Sequence, residues 1–189
     1  MIERRSDKPE PWEHWLKRLL PLWGHRNWIV VADSAYPAQS NPGIETIATN
    51  AGHLELLKAT LAALDNTTHV RANVYLDAEL ELVPEQDGPG VTLYREELAR
   101  LLGNRETQVL AHDQIIAKLD ESAKLFRILI LKSSFAIAYT SVFFELDCGY
   151  WTSEAERRLR LSIAGQRSAG TATRQTENNK SRKRRRKDQ

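Results

Sequence analysis

Trp28-Ile29-Val30-Val31-Ala32 is a run of five consecutive apolar residues. Trp23-Gly24-His25-Arg26-Asn27 precedes it and Asp33-Ser34-Ala35-Tyr36-Pro37 follows it. A short continuous apolar run between turn signals reads as a strand buried on both faces, the mark of a parallel or mixed sheet covered by helices. The rest of the pattern agrees. Trp12, Trp15, Leu16, Leu19, Leu20 and Trp23 recur at helical spacing, with Pro21 and Gly24 ending the helix. A Gly/Pro/Asn/Ser loop runs to about Gly43, and Leu54, Leu57, Leu61 and Leu64 form the stripe of an amphipathic helix. Period-two alternation from Val70 to Val83 predicts a strand, with Glu79, Glu81 and Glu85 on or near its solvent face. A helix over 94–102, a strand over 107–111, a helix over 113–124 and strands over 126–131 and 139–146 follow. Ser153-x-x-Glu156 predicts a capping box for a last helix. Alternating strands and helices imply a layered α/β domain with a mostly parallel or mixed central sheet flanked by helices.

Charge divides the chain in two. Residues 165–189 hold nine basic and two acidic residues, a net of +7, which leaves −5 for residues 1–164. The expected organisation is an α/β domain over 1–164 and a disordered basic tail over 165–189. The globular part has no bulk electrostatic reason to bind nucleic acid. The cluster Arg182-Lys183-Arg184-Arg185-Arg186-Lys187 could bind a polyanion weakly by neutralising phosphates. Cys148 is the single cysteine, so no internal disulfide forms. No signal peptide and no apolar run of membrane-spanning length stands out, and the expected location is cytoplasmic.

Candidate chemistry rests on strand ends. Asp33 lies where the buried strand leaves the sheet, at a carboxyl end of the kind that holds functional groups in α/β sheets. His25 lies at the other end of that strand, roughly 20 Å away if the strand is straight. The two share a site only through a bend or across a subunit boundary. His112 stands at a strand end and a helix start. His14, His53 and His69 lack such context and are expected at the surface. No spacing of His, Cys and carboxylates fits a metal site, and no phosphate-binding glycine loop or G-x-S-x-G is present.

The order of residues says more. Leu22-Trp23-Gly24-His25-Arg26-Asn27-Trp28-Ile29-Val30-Val31-Ala32-Asp33-Ser34-Ala35-Tyr36-Pro37 resembles the start of the ribose pyranase / fucose mutarotase family: a helix into Gly-His, a polar pair, an apolar strand, then Ala-Asp-Ala-x-x-Pro. Ile44-Glu45-Thr46-Ile47-Ala48 with the Leu-rich helix, and Leu76-Asp77-Ala78-Glu79, resemble the next segments. Arg127 and Ala138-Tyr139-Thr140-Ser141-Val142-Phe143-Phe144 resemble the family's Arg and its Pro-Tyr-Ala-Asn strand. Ser141 stands where the family has Asn, and Leu131-Lys132-Ser133-Ser134-Phe135 replaces its Thr-Gly-Glu stretch.

The resemblance implies a cofactor-free isomerase that interconverts the ring or anomeric forms of a free monosaccharide. It implies His25 as general acid/base, Asp33, His112 and Ser141 holding hydroxyls, and Tyr139 stacking on or hydrogen-bonding to the ring. It also implies a ring-shaped homo-oligomer with sites between subunits. The alternative is a non-catalytic sugar-binding or scaffold protein of the same fold, with a basic tail for nucleic acid or another polyanion.

Overall fold

The computed structural model describes residues 11–164; the basic stretch over 165–189 lies outside them. The chain divides into two compact units, parted after Gly149. The first holds helix α1 (Trp12–Leu19), strands β1 (Trp28–Ala32) and β2 (Ile44–Ala48), α2 (His53–Asp65), β3 (Val70–Asp77), α3 (Val91–Leu102), β4 (Thr107–Leu110), α4 (His112–Ala123), β5 (Ile128–Lys132) and β6 (Val142–Cys148). The strands form one mixed sheet in the order β2-β5-β1-β6-β3-β4. β1, β2 and β5 pair in parallel, as do β3 and β4, while β6 runs antiparallel to both β1 and β3.

Strand alternation sorts the apolar residues onto two faces. Ile29 and Val31 point with Leu129, Leu131, Val142 and Phe144 into a core covered by α1, α2 and α3. Trp28, Val30 and Ala32 point with Ile128, Ile130 and Phe143 into a second core covered by α4 through Ile115 and Leu119. All five residues of β1 are fully buried, as its unbroken apolar run requires. On the α4 side, Trp28 stacks on Tyr75 with centroids 5.4 Å apart, and its Nε1–H donates to Ser122 Oγ at 3.1 Å. This satisfies the one polar group of a buried indole.

Several elements differ from the sequence pattern, for local reasons. The alternating stretch from Val70 is a strand only to Asp77 and then a 3-10 turn over Ala78–Leu82. Ladder partners run out there: Asp77 pairs with Leu110, the last residue of β4, and Leu76 with Val142, the first of β6. Arg95 holds the turn by donating Nε–H to the Leu80 carbonyl at 3.0 Å. Glu85 faces no strand surface but caps α3, accepting the Thr92 N–H at 3.0 Å and the Thr92 hydroxyl at 2.7 Å. The Gly90 N–H, donated to the same carboxylate, and then the two Thr92 bonds hold its carboxyl below the usual range. Tyr139 begins no strand; β6 starts at Val142. Among the described residues, no helix is long and apolar enough to cross a membrane.

The second unit contains a helix over 153–164. Thr152, not Ser153, caps it, through Thr152 Oγ1 accepting the Ala155 N–H at 3.1 Å. The Glu156 carboxylate accepts from Trp151 Nε1–H and Arg160 Nε–H instead of closing a capping box.

Gly43 shows how tightly α4 seats against the sheet. A Cβ there would lie 2.3 Å from the Ala123 carbonyl oxygen and 3.1 Å from that of Phe126, whereas a Cβ at Gly24 would meet nothing within 4 Å. Gly43→Ala is expected to cost about 1–3 kcal/mol by overpacking, and Gly24→Ala no more than about 0.5 kcal/mol. Paired urea denaturation curves check this; equal losses at the two positions would contradict the packing described.

Candidate functional site

Strand direction decides which side chains can meet. The carboxyl ends of β1, β3, β4 and β5 lie on one edge of the sheet, and the amino end of β6, being reversed, lies there too. Asp33 follows β1, Asp77 ends β3, His112 follows β4 and Ser141 precedes β6. Because β6 lies between β1 and β3, Ser141 comes between the two aspartates. Neighbouring strands are about 4.8 Å apart, so these groups follow one another along one edge in the order Asp33, Ser141, Asp77, His112.

Asp33 is held by its own turn. Its Oδ1 accepts the Ala35 N–H at 2.8 Å, the local bond that makes Asp a good turn residue. Its Oδ2 accepts the Ser141 hydroxyl proton at 2.9 Å. Both oxygens keep lone pairs for further donors.

Asp77 is 1% exposed, and its Oδ1 lies 3.1 Å from His112 Nδ1. Its Oδ2 is buried with no protein partner. Burial pushes the Asp77 carboxyl up to about 6, against the opposing pull of His112. With Nδ1–H directed at Asp77, His112 Nε2 is left for a ligand. The His112 side chain is 34% exposed, so that nitrogen can be reached. Glu79 accepts the His112 backbone N–H with both oxygens, at 3.1 and 3.0 Å. It serves as the missing N-cap of α4, whose cap residue Ala111 has no side-chain acceptor.

The Tyr139 ring stands edge-on to the imidazole of His112, with centroids 5.7 Å apart and planes at 79°. Its backbone is in the left-handed region, φ 60°. For a bulky residue this costs about 1–3 kcal/mol and persists only where surroundings enforce it. Here the Tyr94 hydroxyl donates to the Thr140 carbonyl at 2.6 Å, and Thr140 Oγ1–H donates to the Ile137 carbonyl at 2.7 Å.

The structure thus brings Asp33, His112, Tyr139 and Ser141 together. It does not bring His25 to them: His25 precedes β1, on the opposite edge of the sheet, and is exposed. Arg127 is also at that opposite edge, donating Nη1–H to the Pro42 carbonyl at 2.6 Å. Sequence reasoning missed Asp77, Glu79 and His53 as site residues. His53 is not at the surface; it is 2% exposed, and burial lowers its imidazole to about 4. Its signal was its place in line with Leu57, Leu61 and Leu64 on the buried face of α2. Nor is His69 a free surface group, since its Nε2–H reaches the Trp23 carbonyl at 3.0 Å. Tyr36, 4% exposed, has a buried hydroxyl with no partner and a phenol raised above its ordinary value by burial, then by Asp120, Asp77 and Asp33. Among the described residues, no group of three or more His, Cys, Asp or Glu is arranged to hold a metal ion.

No protein-family model matches the chain, and no curated protein does. Among solved structures, it is similar to RbsD of Bacillus subtilis complexed with D-ribose, at 20% identity and TM-score 0.49, over 78% of this chain and 98% of that one. It is similar to FucU of Bifidobacterium longum, at 20% identity and TM-score 0.46, over 71% and 94% of the two chains. It is similar also to the fucose mutarotase of Streptococcus pneumoniae in complex with L-fucose, at 18% identity and TM-score 0.47, over 74% and 97%.

Proposed function

We propose that the sheet edge carrying Asp33, Asp77, His112, Tyr139 and Ser141 binds a free monosaccharide in its ring form and exchanges its ring or anomeric forms. The observation that carries this reading is the pair formed by buried Asp77 and part-exposed His112, set beside Asp33 and under the edge of an aromatic ring. Opening a cyclic hemiacetal requires a proton delivered to the ring oxygen and one removed from the anomeric hydroxyl. His112, with Nδ1–H directed at Asp77, offers a bare Nε2 that can take the anomeric proton, and the imidazolium so formed faces the Asp77 carboxylate. The Asp33 carboxylate and Ser141 hydroxyl supply acceptors for sugar hydroxyls, and Tyr139 supplies an apolar face for the ring. The chemistry needs no cofactor.

One imidazole serves one of the two protons. His25, whose surroundings resemble the start of the pyranase and mutarotase family, supplies the second in this reading. It reaches the pocket only from another copy of the chain, since in its own chain it lies across the sheet. The assembly required is a closed homo-oligomer in which the amino edge of one sheet meets the carboxyl edge of the next.

Magnetisation-transfer NMR on ribose and fucose tests the reading. Protein at catalytic concentration should speed exchange between sugar forms, and His112→Ala and His25→Ala should each lose roughly 10²–10⁴-fold, the usual share of a general acid/base. Mixed, refolded oligomers of the two variants should recover part of the rate, because some interfaces then hold both histidines. Full activity of His112→Ala would contradict the assignment. Full activity of His25→Ala would remove the shared site, and sugar binding without faster exchange would leave a binding protein.

The Asp77 assignment carries a pH signature that needs no sugar. A carboxyl at about 6 when folded and 3.8 when unfolded binds its proton more tightly in the native state. The stability this brings is fully present below about pH 4 and is lost as pH rises through 6. The total is on the order of 2–3 kcal/mol. Asp77→Asn lacks that slope, so its stability relative to wild type should rise between pH 4 and pH 7 and level off above. A difference that is flat with pH, in denaturation curves of both proteins, would show that Asp77 is not a buried titrating group.

A further inference from the structure

His53 opens α2 on the side that faces the sheet. Its Nδ1 lies 2.9 Å from Ser133 Oγ. The Ser133 hydroxyl donates its single proton to the Ala32 carbonyl at 2.9 Å and accepts the Phe135 N–H at 3.2 Å. With that proton given to Ala32, Ser133 Oγ accepts from His53 Nδ1–H. Nε2 is buried against the Thr140 backbone, with no bond of full hydrogen-bond geometry.

These bonds converge on the residues around Asp33. The Ala32 carbonyl also accepts the Ser133 N–H at 2.8 Å, and the Ser34 N–H donates to the Phe135 carbonyl at 2.8 Å. Residues 32 and 34 are thus both tied to the segment 133–135, with Asp33 between them. Below this clasp, the His53 ring meets Tyr94 at 5.5 Å and Phe135 at 5.6 Å, and those two rings meet each other at 5.1 Å. Tyr94 in turn holds Thr140, the residue between Tyr139 and Ser141. One buried cluster fixes both loops that deliver the site.

We propose that His53 is a positioning residue for Asp33: by donating to Ser133 it holds the 133–135 segment that clasps the Asp33 turn and aims the Asp33 carboxylate into the site. Burial keeps the ring neutral down to acidic pH, so the single donated proton persists across the working range. The consequence for sugar binding rests on the functional reading above; the consequence for the turn does not.

Amide hydrogen exchange on the full-length protein separates the two. His53→Leu keeps the volume but removes the donor. It is expected to speed exchange of the Ser34 and Ala35 amides roughly tenfold beyond any change at Val74 and Phe144 in the sheet, the loss of about one hydrogen bond. His53→Asn, whose amide nitrogen can stand in for Nδ1, is expected to restore most of that protection. Ser133→Ala leaves His53 packed and removes the shared hydroxyl, so it should reproduce the local loss even where His53→Leu fails to fold. Uniform loosening of the whole sheet, or a Ser133→Ala protein with wild-type protection at Ser34, would overturn the proposal. In sugar-exchange assays, His53→Leu should raise KM more than it lowers kcat, with His53→Asn recovering it. If the wild-type protein exchanges no sugar, the functional reading falls and the amide comparison still decides this one.

Discussion

A single reversed strand organises this molecule. Without β6, the carboxyl ends of β1 and β3 would present two aspartates with nothing between them. With β6 inserted antiparallel, its amino end arrives at the same edge and places Ser141 between Asp33 and Asp77. The approach to β6 must turn sharply, and Tyr139 takes the left-handed conformation that the turn demands. The ring beside His112 is therefore a product of strand direction as much as of local sequence. The sheet tolerates the reversal because the first three residues of β6 are apolar on both faces: Phe143 fills the α4 side, while Val142 and Phe144 fill the other.

Burial then sets the proton chemistry. Asp77 and His53 both lie behind the part-exposed groups at the edge, and desolvation shifts each towards its neutral form, the carboxyl upward and the imidazole downward. Their contributions to stability run in opposite directions with pH. Below about 6.5 the unfolded chain begins to protonate His53 while the folded chain resists, so stability falls with acid until about pH 4. Over much of that span Asp77 gains stability from the same acid. The two slopes offset one another, which leaves the region under the site less sensitive to moderate acid than either group alone.

The parts of this arrangement legible in the sequence are those that burial makes unambiguous. Trp28–Ala32 has no polar residue, so both its faces had to be covered, and Asp33 had to mark its exit. His112 was likewise visible as the residue between a short strand and a helix. Asp77 was not, because the alternation of Val70 to Val83 continues through it at the level of composition. Only the loss of both ladder partners turns the chain into a 3-10 turn and leaves the carboxylate at the edge. Tyr139 read as a strand residue because aromatic and β-branched neighbours follow it; backbone handedness leaves no trace in that pattern. His53 was hidden by its polarity, although it keeps step with Leu57, Leu61 and Leu64 along one helix face. The separation of His25 from Asp33 by β1 is legible in the sequence, and the fold keeps them at opposite ends of that strand.

The proposed monosaccharide site is a single pocket lined by Asp33, Asp77, His112, Tyr139 and Ser141. Chemical-shift mapping on the isotope-labelled protein, titrated with a panel of free pentoses and hexoses, tests it most directly. Saturable shifts are expected at the Ser34, Ala35, His112 and Thr140 amides and at the His112 ring nitrogens. Shifts confined to the groove between α1 and the end of α2, lined by Trp12, Leu16, Ala63 and His69, or no shifts with any sugar, would contradict it.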